Sequence, residues 1–121
     1  MRVVIADDSA DFREILQAVL ASARGQFVVV GEARTGDEAI ALVTEQKPDA
    51  LLLDLAMPTA GGLQIIPAIR ECSPQTRVII LSGFDQRQVD GDPSGRADAY
   101  VVKGRPIAEL LGLLRKLGQA A

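Results

Sequence analysis

The chain has 121 residues, 48% hydrophobic and 24% charged, and that size and balance suit one globular domain, residues 1–121, that buries its own core. Its net charge of -3, with no cluster of Lys or Arg, argues against direct nucleic-acid binding, because a grip on phosphate backbones comes largely from clustered cations. A single cysteine and no histidine exclude an intrachain disulfide and a Cys/His zinc site, and no apolar run approaches the roughly 18 residues that cross a bilayer.

From Arg2 the chain runs straight into a β-like stretch, residues 3–6, without a signal-peptide pattern, and a cytoplasmic location is expected. A helix follows, with Ser9 as its N-cap and an apolar stripe of Phe12, Ile15, Leu16, Val19, Leu20 and Ala23 at i, i+3, i+4 spacing. Residues 28–31 form a second strand. Thr35 then caps a second helix, Glu38 reaches back in a capping box, Ala39, Ile40 and Val43 face inward, and Lys47 and Pro48 close it. The third strand is residues 51–53. The third helix carries Leu63, Ile66 and Ile69, and Pro67 makes it short or kinked unless the proline lies near the first turn. Cys72 is an ordinary helix residue. Residues 78–81 and 99–102 are the fourth and fifth strands, separated by residues 85–98, where Gly91, Pro93 and Gly95 leave room for one helical turn at most. The last helix opens near Pro106 and buries Ile107, Leu110, Leu111, Leu114 and Leu117.

The five apolar runs are short and nearly continuous, as strands covered on both faces are. Strands alternating with helices predict a doubly wound α/β fold, a parallel sheet with helices on both faces built by right-handed crossovers.

In such sheets the functional crevice lies at the carboxyl ends of the strands. Asp7 and Asp8 follow the first apolar run, Asp54 the third, Ser82 the fourth and Lys103 the fifth, so these side chains are expected along one edge. Three close carboxylates repel one another unless a cation sits between them. An oxygen-only ligand set suits a hard ion, and few carboxylates with room for water and phosphate suit magnesium. Phosphoryl transfer fits these parts: Asp54 as nucleophile, the metal neutralising phosphoryl oxygens, Lys103 as a compact cation and Ser82 as a hydrogen-bond donor.

The runs Ile5-Ala6-Asp7-Asp8-Ser9, Leu52-Leu53-Asp54-Leu55-Ala56-Met57-Pro58, Leu81-Ser82-Gly83 and Tyr100-Val101-Val102-Lys103 together resemble the receiver domains of two-component response regulators, over essentially the whole chain. The opening Ile-Ala-Asp-Asp, Arg13 and the closing Glu109-Leu110 look most like the NarL/FixJ type, whose members often carry a C-terminal helix-turn-helix domain; no such domain lies within these residues. The resemblance implies a flavodoxin-like strand order 2-1-3-4-5 and Asp54 as phosphoacceptor for a sensor histidine kinase. It implies Mg2+ held by Asp8, Asp54 and the Ala56 backbone carbonyl, with Asp7 helping partly through water. It also implies a switch in which Ser82 moves toward the phosphoryl group and Tyr100 turns into the vacated space. In the family the fourth helix, fifth strand and fifth helix report that change to an output domain or a second copy. Here the expected fourth helix is the irregular stretch.

Gly104 stands where many receivers place a proline, so no cis bond is expected at 103–104. Ala56 and Phe84, at positions that influence water attack on the acyl phosphate, cannot hydrogen-bond that water, and slow self-dephosphorylation follows as an expectation.

Singly, each of these residues has a plainer reading. Asp7 and Asp8 could cap a helix, Ser82 could be a turn residue, Lys103 a solvated charge and Tyr100 a half-buried strand residue. Gly61 and Gly62 read as a turn after Pro58, without the Lys of a phosphate-binding loop. Joint placement at four strand ends favours the site. A magnesium-dependent phosphohydrolase would need a second catalytic carboxylate near Asp54, and Ala56 holds that position, so the chain is not expected to be an enzyme. The remaining alternative is a receiver-like module that binds protein without phosphorylation.

Overall fold

Five strands pair in parallel in the order β2-β1-β3-β4-β5, namely β1 (Arg2–Ala6), β2 (Val28–Ala33), β3 (Ala50–Asp54), β4 (Arg77–Ser82) and β5 (Ala99–Val102). The structure is a computed structural model that describes residues 1–54, 62–82, 97–102 and 108–119. Within those residues four helices connect or follow the strands: α1 (Ala10–Ala21), α2 (Gly36–Gln46), α3 (Gly62–Cys72) and α4 (Ala108–Gln119). The doubly wound class and the 2-1-3-4-5 order are as expected. The expectation for residues 85–98 falls almost wholly outside the described residues, as do those for Pro106 and Ile107.

Because successive strand side chains point to opposite faces, each central strand serves two layers at once. On one face Val4, Leu51, Leu53 and Ile80 pack with Val43 of α2 and Ile65, Ile66 and Ile69 of α3. On the other, Val3, Ile5, Leu52 and Ile79 pack with Leu16 and Leu20 of α1 and Leu110 and Leu114 of α4. Full burial on both sides explains why these strands read as continuous apolar runs. Gly31 of β2 lets α2 approach closely: a Cβ there would lie 2.9 Å from Leu42 Cδ2.

The helix starts follow the predicted chemistry, with one shift. The Ser9 hydroxyl accepts the Phe12 N–H at 3.2 Å and the Thr35 hydroxyl accepts that of Glu38, also at 3.2 Å. Glu38 Oε2, however, accepts from Arg34 N at 3.1 Å, one residue before the cap whose N–H a capping box would bind. Helix α2 ends on Lys47 in the left-handed region, φ 45° and ψ 59°.

The apolar face expected for α1 and the short length expected for α3 are corrected. Ile15 is 47% exposed, because it lies about 100° round the helix from Leu16 and beyond the reach of the sheet. Helix α3 runs a full 11 residues with Pro67 inside it rather than in the first turn. The proline is exposed, so its ring points to solvent, and burial of Ile65, Ile66 and Ile69 outweighs the one lost backbone bond. Cys72, the last residue of α3, is half-buried and free.

Polar anchors fix the amino-terminal side of the sheet. The buried Thr76 hydroxyl donates to the Pro48 carbonyl at 2.7 Å and lies 2.7 Å from the Ser73 hydroxyl. Asp98 Oδ2 accepts from Val78 N at 2.7 Å and from Arg70 Nη2 at 2.9 Å, with Arg77 Nη1 3.6 Å from the other oxygen. The start of β5 is thereby tied to β4 and α3.

Candidate functional site

The order of the sheet reverses between β1 and β3, and that switch point opens a crevice at the carboxyl ends of the strands. Ala6 pairs with Leu53, so the next residues, Asp7 and Asp54, come abreast of one another there. Carboxylate oxygens of Asp7, Asp8 and Asp54 all lie within 4.8 Å of each other. Asp7 and Asp54 are only 1% and 3% exposed, whereas Asp8 faces solvent, so the cluster has a buried floor and an open side.

The backbone around Asp7 is held from several directions. Its N–H donates to the Ala33 carbonyl of β2 at 3.0 Å, and its Oδ1 accepts from Ser9 N at 2.9 Å, the turn that starts α1. Its carbonyl accepts from Arg13 Nη1 at 2.7 Å, and Arg13 Nε donates to Glu32 Oε1 at 3.1 Å. Sequence reasoning used Arg13 only as a mark of resemblance and passed over Glu32. Polar residues 19 apart, on a helix and a neighbouring strand, carry no periodic signal.

Beside this cluster Asp54 pairs with Leu81, which places Ser82, the last residue of β4, one step further along the same edge. Ser82 in turn pairs with Val102, the last residue of β5. Lys103 and Ala56 lie outside the described residues, as do Phe84, Gly61 and the 103–104 peptide. Tyr100 pairs with Ile80, two pairs before Ser82, and its ring is half-buried against the α2 and α3 face of the sheet.

Chemically the cluster is three oxygen donors with no sulfur or imidazole. Two buried carboxylates this close repel each other strongly in a medium poorer than water. A small hard divalent cation relieves that repulsion, and the open side leaves coordination positions for water or an anionic substrate oxygen. The donor set therefore fits Mg2+.

Residues 3–115 match the family described as the response regulator receiver domain. The transcriptional regulatory protein YhcZ of Bacillus subtilis is 38% identical over 112 residues, which cover 92% of this chain and 52% of that protein. Among solved structures, the signal receiver domain of the response regulator NarL from Mycobacterium tuberculosis is similar with a TM-score of 0.88 and 31% identity, covering 99% of this chain and 97% of that one. The response regulator TrrA from Thermotoga maritima, solved in complex with Mg2+ and BeF, has a TM-score of 0.84 and 29% identity, covering 96% and 97%. The chain spans about half the length of most of the curated relatives it matches. Among the described residues no helix is long and apolar enough to cross a membrane.

Proposed function

Since the chain belongs to the response regulator receiver domain family, we propose that it is a phosphoacceptor whose Asp54 takes a phosphoryl group from a sensor histidine kinase in the cytoplasm. The observation that carries this reading is the convergence of Asp7, Asp8 and Asp54 within 4.8 Å at the switch point, with Asp54 ending the central strand β3. Asp7, Asp8, Asp54 and the Ala56 carbonyl would hold Mg2+, which when bound neutralises charge on the phosphoryl oxygens. A carboxylate oxygen of Asp54 forms the new P–O bond as the donor's P–N bond breaks, and the strand fixes its direction of attack. Ser82, at the end of the neighbouring strand β4, and Lys103 would bind the transferred group through a hydroxyl and an ammonium.

The output would be a change of state rather than turnover. Ser82 drawn toward the phosphoryl group frees space for Tyr100, and the altered β5 and α4 surface controls a second copy or an attached output domain. Relatives that are transcriptional regulators and about twice as long support an output in transcription. A lone receiver or a phosphorylation-independent binding module would lack that step.

Intact-mass measurement after incubation with a small phosphodonor, with and without Mg2+, tests the reading. One added phosphoryl group that requires Mg2+ and vanishes in Asp54→Asn supports it. An unmodified wild type that also fails to bind Mg2+ would leave protein binding without phosphorylation as the better reading.

A further inference from the structure

The Arg13 side chain is only 13% exposed, and it bonds both a backbone carbonyl of the acidic cluster and a carboxylate of the neighbouring strand. One nitrogen, Nη1, donates to the Asp7 backbone carbonyl at 2.7 Å, and Nε donates to Glu32 Oε1 at 3.1 Å. The carbonyl belongs to the peptide that joins Asp7 to Asp8, so the guanidinium fixes the plane of that peptide. Asp8 lies between β1 and α1, outside any strand pairing or helix, and is exposed. The direction of its carboxylate therefore depends on that plane more than on packing. Asp7, by contrast, is buried, bonded through its own N–H to Ala33 and through Oδ1 to Ser9.

The geometry points to Arg13, braced by Glu32, as a positioning residue that aims the Asp8 carboxylate at the metal site. The inference rests on the phosphoacceptor reading above and deepens it. Arg13 bonds the Asp7 backbone carbonyl rather than a carboxylate of the cluster, and a guanidinium, which has only donors, acts on the metal site through its neighbours. Glu32 matters for two reasons. It holds the guanidinium in the one orientation that reaches the Asp7 carbonyl, and it cancels a positive charge that would oppose a divalent cation. Lysine cannot replace this pairing, because a single ammonium lacks the planar fork that spans a carbonyl and a carboxylate at fixed angle.

Charge and position predict opposite signs, which makes the inference testable. Removing a cation beside three carboxylates strengthens Mg2+ binding if charge alone matters; losing the aim of Asp8 weakens it. Amide NMR titration with MgCl2 at constant ionic strength gives the affinity, and melting in EDTA gives the stability of each variant. Arg13→Gln is expected to bind Mg2+ roughly tenfold more weakly, the scale of lost outer partners at metal sites, and to be phosphorylated more slowly at subsaturating Mg2+. Arg13→Lys is expected to recover only part of that loss, and Glu32→Gln to weaken binding by a few-fold while melting as the wild type does. Unchanged or tighter binding in Arg13→Gln overturns the proposal. So does unchanged binding in Glu32→Gln combined with an Arg13→Gln chain that melts far lower, which would make Arg13 a structural strut. Failure of the wild type itself to bind Mg2+ would instead refute the phosphoacceptor reading.

Discussion

Neutralising Asp54 should make the metal-free chain more stable while making it indifferent to Mg2+. Asp7 and Asp54 are both buried, with oxygens within 4.8 Å. At an effective dielectric of about 20, two unit charges at that distance repel by about 3.5 kcal/mol, and exposed Asp8, nearer the dielectric of water, adds about 0.9 kcal/mol. Asp54→Asn removes both terms. The amide is a weaker acceptor than the carboxylate and needs partners for its new donors, which returns part of the gain. A net stabilisation of about 1 to 3 kcal/mol in EDTA is expected. For the wild type, Mg2+ at ten times its dissociation constant adds about 1.4 kcal/mol through mass action. Urea unfolding of both chains, each in EDTA and in excess Mg2+, reads all four numbers. An Asp54→Asn chain that is no more stable in EDTA, or that gains as much from Mg2+ as the wild type, would refute the electrostatic account of the cluster.

Replacing Thr76 by Val should cost about 1 to 3 kcal/mol in urea unfolding, because it strands the Pro48 carbonyl and removes the partner of the Ser73 hydroxyl in a buried site. Lys47→Gly should raise stability by about 0.5 to 1 kcal/mol, since a left-handed helix end suits glycine, with the lost Lys47 Nζ bond to the Cys72 carbonyl limiting the gain. Leu52→Ala, in the fully buried centre of the sheet, should cost about 2 to 5 kcal/mol and lower the thermal midpoint accordingly. Ala56→Asn should speed loss of the acyl phosphate in a dephosphorylation time course, because the amide can hold the attacking water where a methyl group cannot.

The central strands β1, β3 and β4 were legible because burial on both faces leaves an uninterrupted apolar run, and the acidic cluster because its carboxylates follow such runs directly, as Asp7 follows Ala6 and Asp54 follows Leu53. Strand ends were less so. The structure extends β2 to Ala33 and β3 to Asp54, since backbone pairing continues after the apolar pattern stops. Ile15 was misplaced because which side of a helix meets the sheet is a tertiary fact, and a period constrains it only to within a side chain's width. Glu32 was invisible, because an ion pair between two elements depends on how α1 crosses β2.

The proposed acceptor and the proposed switch residue stand on strands of very different stiffness. Every residue of β3 is buried, Ala50 to Leu53 pair with both β1 and β4 and Asp54 pairs with β4, so displacement of Asp54 would disturb a strand held between two neighbours and two helical layers. Tyr100 sits on a four-residue strand in which Ala99, Tyr100 and Val101 are half-buried and which pairs with β4 alone among the described strands. In a signalling role, strain introduced at the rigid centre would be relaxed where the sheet is most compliant, at its β5 rim. Substitutions along that rim could then retune how far the protein responds without altering how Asp54 reacts.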